Sequence, residues 1–188
     1  DPISPSAVGL TVPDTIPPVF LSLHVDPLSP ETRINGGFLP ASVSIKRQKD
    51  GTWGWDGVPV LEGKSGFSVG LVDNGEGGNK FGVEHISMAI NGKVLLRRSF
   101  NQYGYDENSQ ASWIYDYPRT SLPGAGYVYT MFRWPFETLR FSEGFAPWSG
   151  ALGENPGSVE EMTIEAVDFG GNRIVAKGRV DTRGLRQA

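Results

Sequence analysis

Hydrophobic and polar residues alternate along many short stretches of this chain, and turn residues separate the stretches. The first stretch, from Val19 to Val25, alternates loosely at a period of two, with proline near both ends. Such a pattern predicts a β-strand that is buried on one face. Further strands are predicted at 42–48, 65–72, 82–90, 93–100, 127–134, 161–168 and 173–180.

Two pairs of strands carry hairpin signals. Asn91-Gly92 joins the strands at 82–90 and 93–100, and this dipeptide tolerates the positive φ angles of a type I′ turn. Residues 168–172 join the last two strands, in which apolar and polar residues largely alternate. Many short strands, with no heptads and no long helical stripe, predict an all-β antiparallel β-sandwich.

Domain limits follow from the prolines. Residues 1–18 contain five prolines and little periodicity, which predicts an extended linker, and the folded domain is predicted at 19–188. The secondary-structure signal is weakest at residues 103–122, where two alternatives remain open. Either Asp106 caps a short helix that runs to Tyr117 and ends at Pro118, or this stretch is an irregular excursion.

Composition narrows the range of functions. The 25 glycines and 14 prolines among 188 residues fit a turn-rich β-architecture. A net charge of -4 without a Lys/Arg stripe argues against nucleic-acid binding. No apolar run reaches the roughly 20 residues of a membrane span. The absence of cysteine excludes disulfides, thiolate zinc sites and a cysteine nucleophile.

Few residues are candidates for chemistry. The two histidines, His24 and His85, are far apart and stand in no zinc-binding motif, so each is expected to complete a local hydrogen bond. The oxygen-rich, glycine-rich loop at 73–79 would suit either calcium or an ordinary strand connection. A hydrolase that uses adjacent carboxylates such as Asp106 and Glu107 as acid and base is the remaining alternative.

Aromatic residues give the one candidate binding site. In Trp53-Gly54-Trp55 the two indoles are expected to share one strand face, between glycine-bearing turns that would allow their exposure. Exposed Trp53 and Trp55 would stack on sugar rings or anchor a protein partner, whereas the alternative is that most aromatic residues fill the core.

The order and spacing of several segments resemble one known domain. The segments are Asp14-Thr15-Ile16-Pro17-Pro18-Val19-Phe20 with Pro27-Leu28, then 82–94, 100–107, 114–117 and Ala166-Val167-Asp168-Phe169-Gly170-Gly171-Asn172. Together they are similar to the Ig-like β-domain that follows the catalytic domain in some bacterial lysostaphin-type (LytM-like) zinc metallopeptidases. Asp1-Pro2-Ile3 resembles the last residues of such a catalytic domain.

This resemblance implies that the chain itself has no catalytic activity. The peptidase ligand motifs H-x-x-x-D and H-x-H are absent from the sequence, so no catalytic, cofactor-binding or metal residue is carried over. The implied role is a non-catalytic accessory domain of an extracytoplasmic endopeptidase that acts on peptidoglycan cross-bridges or similar peptides. The domain would position, regulate or dock the catalytic domain, and zinc is expected only in that catalytic domain. The implied partners are that catalytic domain and, further, peptidoglycan or another envelope protein. A carbohydrate-binding module is the alternative.

Overall fold

In a computed structural model, the described residues are 13–75, 79–100, 105–139, 142–143, 146–153 and 157–183. Strands dominate this part of the chain, as the sequence predicts. The strands are β1 Val19–Pro27, β2 Arg33–Ile34, β3 Ala41–Ser44, β4 Lys46–Arg47, β5 Trp53–Gly54, β6 Leu61–Glu62, β7 Ser65–Asn74, β8 Lys80–Phe81, β9 His85–Ile90, β10 Lys93–Ser99, β11 Tyr127–Thr130, β12 Ser142–Glu143, β13 Val159–Val167 and β14 Arg173–Asp181.

The first sheet is built around β7. Its order is β11-β7-β1-β3, with β8 paired to the end of β7, and all these pairs are antiparallel. The predicted start of the first strand at Val19 is confirmed.

The second sheet has the order β12-β10-β9-β13-β14-β5-β4. Its pairs are antiparallel except for β14 with β5, which run parallel. Both predicted hairpins lie here. Asn91 and Gly92 have φ angles of 48° and 79° at the β9–β10 turn, which agrees with the expected positive φ at both central positions. A third, two-stranded sheet pairs β2 with β6.

One buried core is shared by the two large sheets. Along β9 and β13, buried and partly buried residues alternate, because successive side chains of a strand point to opposite faces. The inward residues from the first sheet include Leu23 and Val69, and those from the second include Met88 and Ile164. All four are fully buried.

The predicted strand at 42–48 is divided between the two sheets. β3 pairs with β1 in the first sheet, whereas β4 pairs with β5 in the second. Ile45 lies at the crossing, is 4% exposed, and donates its backbone N–H to the carbonyl of Leu21. A sequence pattern records alternation but not a change of partner, so the crossing was not predicted.

Phe132 and Ala125 pack closely on the outer face of β7. Small residues alternate with large ones along β7, and a Cβ added at Gly66 would lie 2.5 Å from the ring of Phe132. A Cβ at Gly70 would likewise lie 3.2 Å from the carbonyl oxygen of Ala125. Glycine is therefore required where these residues pack closely on the strand, and β7 is buried on both faces.

The helix predicted within 103–122 is wrong in its limits. A 3-10 helix covers Tyr105–Trp113, and a short α-helix, α1, covers Tyr117–Thr120. Pro118 lies in the first turn of α1 rather than after a helix end, because the first turn needs no donor at that position. The α1 cap is Asp116, whose side chain accepts a hydrogen bond from the Arg119 N–H.

Candidate functional site

The two predicted binding residues, Trp53 and Trp55, lie in different environments. Trp53 is partly buried in β5 and makes an edge contact with Phe20, with ring centroids 6.2 Å apart. Trp55 is 6% exposed, and its indole packs against the backbone of Gly178, where no Cβ would fit. The expectation that both indoles are exposed is therefore wrong for Trp55, which belongs to the core.

The histidines each make a local contact, as the sequence predicts. His24 Nε2 lies 2.9 Å from Ser22 Oγ on β1, and His85 Nδ1 lies 2.9 Å from Ser99 Oγ across the β9–β10 pair. Burial is the main reason why the pKa of His24 is lowered. The two residues lie in different sheets, so they do not share a ligand site.

An aromatic surface lies away from Trp53. We define it as Trp113, Trp134, Phe136 and Trp148. The Trp113 and Phe136 ring centroids are 4.3 Å apart, and Trp134 lies 5.8 Å from both Trp113 and Trp148. Phe136 is 59% exposed, and its ring is within 17° of parallel to that of Trp134. Trp134 and Phe136 are two positions apart, but no local spacing in the sequence brings Trp113 and Trp148 beside them, and Phe136 was not predicted as a binding residue.

The backbone at Trp148 is unusual. Its φ angle of 64° lies in the left-handed region, which a bulky side chain rarely adopts. Reciprocal backbone bonds hold this turn: Trp148 N donates to Arg133 O at 3.0 Å, and Arg133 N donates to Ser149 O at 2.8 Å. The Lys64 ammonium lies 4.5 Å from the Trp148 ring centroid. Strain of this kind is retained at positions that the surrounding structure holds firmly.

A second candidate site is a group of three carboxylates, Asp14, Asp73 and Asp168, here called the carboxylate cluster. One potential ligand oxygen from each lies within 4.8 Å of the others. Asp73 is near the end of β7, Asp168 opens the β13–β14 turn, and Asp14 precedes β1. The cluster therefore joins the amino-terminal segment to one strand of each large sheet.

Hydrogen bonds hold two of the three carboxylates. Asp168 accepts from the Asn172 backbone N–H at 2.8 Å and from Asn172 Nδ2 at 2.9 Å. The same Nδ2 donates to the Asp14 carbonyl at 3.1 Å, and the Ile16 N–H donates to Asp14 Oδ1 at 2.9 Å. Gly170 allows Asp14 to lie close to the β13–β14 turn, since a Cβ added at Gly170 would lie 2.8 Å from the Asp14 Cβ.

Asp73 differs from its two neighbours. The residue is 3% exposed, and its Oδ1 is buried without a hydrogen-bond partner among the described residues. Burial, together with the nearby charges of Asp168 and Asp14, raises the pKa of the Asp73 carboxyl to about 6. A buried polar atom without a partner costs about 1–3 kcal/mol, and more when it is charged. Asp73 is thus ionised at neutral pH only against an electrostatic cost.

The predicted calcium loop contributes only part of this cluster. Asp73 belongs to the 73–79 loop, but residues 76–78 lie outside the described residues. The other two carboxylates are 59 and 95 positions away in the sequence, counted from 73 to 14 and from 73 to 168. No local motif links them. Of the remaining hydrolase candidates, Glu107 is 6% exposed, and the side chain of Asp106 lies outside the described part of the chain.

Comparisons with known proteins give no relative. No protein-family model, curated protein or solved structure matches the chain. Among the described residues, no helix is long and apolar enough to cross a membrane.

Proposed function

We propose that this chain is the non-catalytic accessory domain of a cell-envelope zinc endopeptidase, and that its two sheets form an Ig-like antiparallel sandwich. The sequence resemblance supports the family, and the core shared by the two large sheets fits such a sandwich. In this proposal the protein acts outside the cytoplasm, in the periplasm or cell envelope, and zinc is bound by a catalytic domain elsewhere in the protein.

The observation that carries a positioning role is the anchoring of Asp14. The Asp14 backbone accepts a hydrogen bond from Asn172, and its carboxylate belongs to the carboxylate cluster. By the resemblance, a catalytic domain would precede this segment. An anchored segment limits the positions that such a domain can take, because fewer residues remain free between the two.

Hydrolysis is the direct test of the non-catalytic role. The purified chain, with zinc added, is incubated with peptidoglycan and with cross-bridge peptides, and newly released amino groups are measured. We expect no release above the protein-free blank. Zinc-dependent release that persists through purification would contradict the proposal and would show that this chain holds its own catalytic residues.

The aromatic surface favours a second candidate, a carbohydrate-binding module. Exposed flat rings stack on sugar rings, and Phe136 beside Trp134 presents such a face. The aromatic surface takes the place of the buried Trp55 as the candidate sugar-binding site. Sugar binding by Trp53 stays a prediction.

Co-sedimentation with peptidoglycan tests this second candidate. If the module binds glycan through the aromatic surface, Trp134→Ala/Phe136→Ala should weaken binding at least about tenfold, since truncating a central aromatic residue costs about 2 kcal/mol. Leu39→Ala is the matched control, because Leu39 is 79% exposed and apolar. Loss in Trp53→Ala instead would locate the site at β5, and no binding by the unchanged chain would reject the module.

A further inference from the structure

We propose that Asp14, Asp73 and Asp168 form a binding site for a divalent cation of the calcium class. The three carboxylates converge from the amino-terminal segment, the first sheet and the second sheet. This inference does not rest on the peptidase assignment, since it uses only the geometry of the carboxylate cluster.

An acidic cluster alone would not define a site, but Asp73 adds an independent observation. Asp73 is more than nine-tenths buried, and within the described part of the chain its Oδ1 has no hydrogen-bond partner. Asp168, although 0% exposed, has both oxygens bonded to Asn172. The unpartnered oxygen therefore belongs to a group that the fold has brought beside two further carboxylates, where a cation would supply the missing interaction.

Charge favours the same ligand. Three carboxylates with ligand oxygens within 4.8 Å of one another concentrate negative charge in a small volume. A divalent cation would balance this charge, whereas a neutral hydrogen-bond donor would satisfy one oxygen and leave the repulsion between the carboxylates in place.

The ligand type and spacing favour calcium. Oxygen-only ligands suit hard cations, whereas zinc prefers histidine and cysteine. Calcium–oxygen distances of about 2.3–2.6 Å allow oxygens on opposite sides of one ion to be roughly 5 Å apart. The observed limit of 4.8 Å falls in this range. Magnesium, which requires shorter distances and near-ideal octahedral geometry, is expected to bind more weakly.

Calcium at this position would connect the amino-terminal segment to both sheets. Without the ion, Asp14 is held by Ile16 and Asn172 alone among the bonds described here. With calcium bound, Asp14 would coordinate the same ion as Asp73 of β7 and Asp168 of the β13–β14 turn. Calcium would then stabilise the folded state in proportion to the logarithm of its concentration.

Calorimetry and thermal unfolding of the full chain test this proposal. After treatment with a chelator and its removal, the chain is titrated with calcium chloride. We expect one calcium per chain, with a Kd of about 10⁻⁴–10⁻³ M, as in extracellular calcium modules. The Tm should rise by about 4–7 °C at a calcium concentration of roughly twenty times Kd.

Two variants separate a cation site from a structural cluster. Asp73→Asn should abolish the calcium-dependent Tm shift and raise the Tm of the calcium-free chain, because it removes the repelling charge. Asp56→Asn, at an exposed position, should leave the calcium response unchanged. The proposal is overturned if the unchanged chain shows neither heat nor a Tm shift, or if Asp73→Asn binds calcium as tightly. Neither result would affect the hydrolysis assay of the proposed function.

Discussion

The charged group around Arg98 and the carboxylate cluster both contain fully buried charged residues, but their charges are balanced differently. Arg98 and Glu137 have fully buried side chains, with Nη1 2.7 Å from Oε1 and Nη2 3.2 Å from Oε2. Arg98 also donates to the carbonyls of Thr130 and Phe132 and to Ser142 Oγ. In the carboxylate cluster, by contrast, like charges meet, and Asp73 Oδ1 has no hydrogen-bond partner in the described ranges.

This difference separates a structural group from a ligand site. The Arg98 group satisfies its own charges and hydrogen bonds, so it needs nothing from solution. It also attaches the segment around Glu137 to β10. Among the described residues, the carboxylate cluster has an unbalanced negative charge and an unsatisfied oxygen, and a bound cation would compensate both. The comparison predicts that the two regions respond in opposite ways when a charge is removed.

Removing the charge of Arg98 should have the largest effect. Arg98→Met leaves the Glu137 carboxylate buried without a cation, which costs about 3–5 kcal/mol. The Tm should fall by about 8–16 °C, as measured by circular dichroism. The double variant Arg98→Met/Glu137→Leu should be more stable than Arg98→Met, since no unpaired charge remains. A loss below about 1 kcal/mol in Arg98→Met would show that this ion pair is not structurally important.

The second largest expected effect is the change in the free energy of unfolding with pH. In chelator, the folded state retains a proton on Asp73 up to about pH 6, whereas the unfolded chain releases it near 3.8. The free energy of unfolding should therefore fall as pH rises from about 4 to 7, by up to about 3 kcal/mol from this group. Urea unfolding at several pH values measures this fall in the free energy of unfolding.

Asp73→Asn is the control for this pH dependence. The variant cannot titrate at position 73, so its stability should lack this contribution to the fall. Saturating calcium should also remove the fall, because the cation favours the ionised carboxylate. An equal slope in the variant and the unchanged chain would assign the effect to other groups.

Removing the amide of Asn172 should have the smallest of the three effects. Asn172→Ala deletes the bonds to Asp168 Oδ2 and to the Asp14 carbonyl, at a cost of about 1 kcal/mol. Hydrogen exchange at the Ile16 amide should become faster, because Asp14 is held less firmly. Asn74→Ala, at an exposed position beside the cluster, is the control. Unchanged exchange at Ile16 would argue against the anchoring of this segment.

The elements that the sequence predicts well are those determined by neighbouring residues. The β9–β10 hairpin follows from local alternation and from Asn91-Gly92, and the structure has it where it was expected. The limits of the 105–120 helices were wrong, because proline can stand in the first turn of a helix as well as after its end.

The candidate sites were harder to predict because they depend on distant contacts. Trp55 becomes buried when Gly178 of β14 leaves room for its ring. Asp14 and Asp168 approach Asp73 only after both sheets have formed. A local pattern identified Asp73 as a possible ligand, but it could not indicate that the other two carboxylates come from outside the loop.

Crystals of the full chain grown with calcium would test the central claim most directly. The account predicts one anomalous-scattering peak within about 2.3–2.6 Å of an oxygen from each of Asp14, Asp73 and Asp168. It also predicts that no such peak is present in Asp73→Asn crystals grown in the same way. Crystals of the unchanged chain with calcium at other positions and none among these three carboxylates would contradict it.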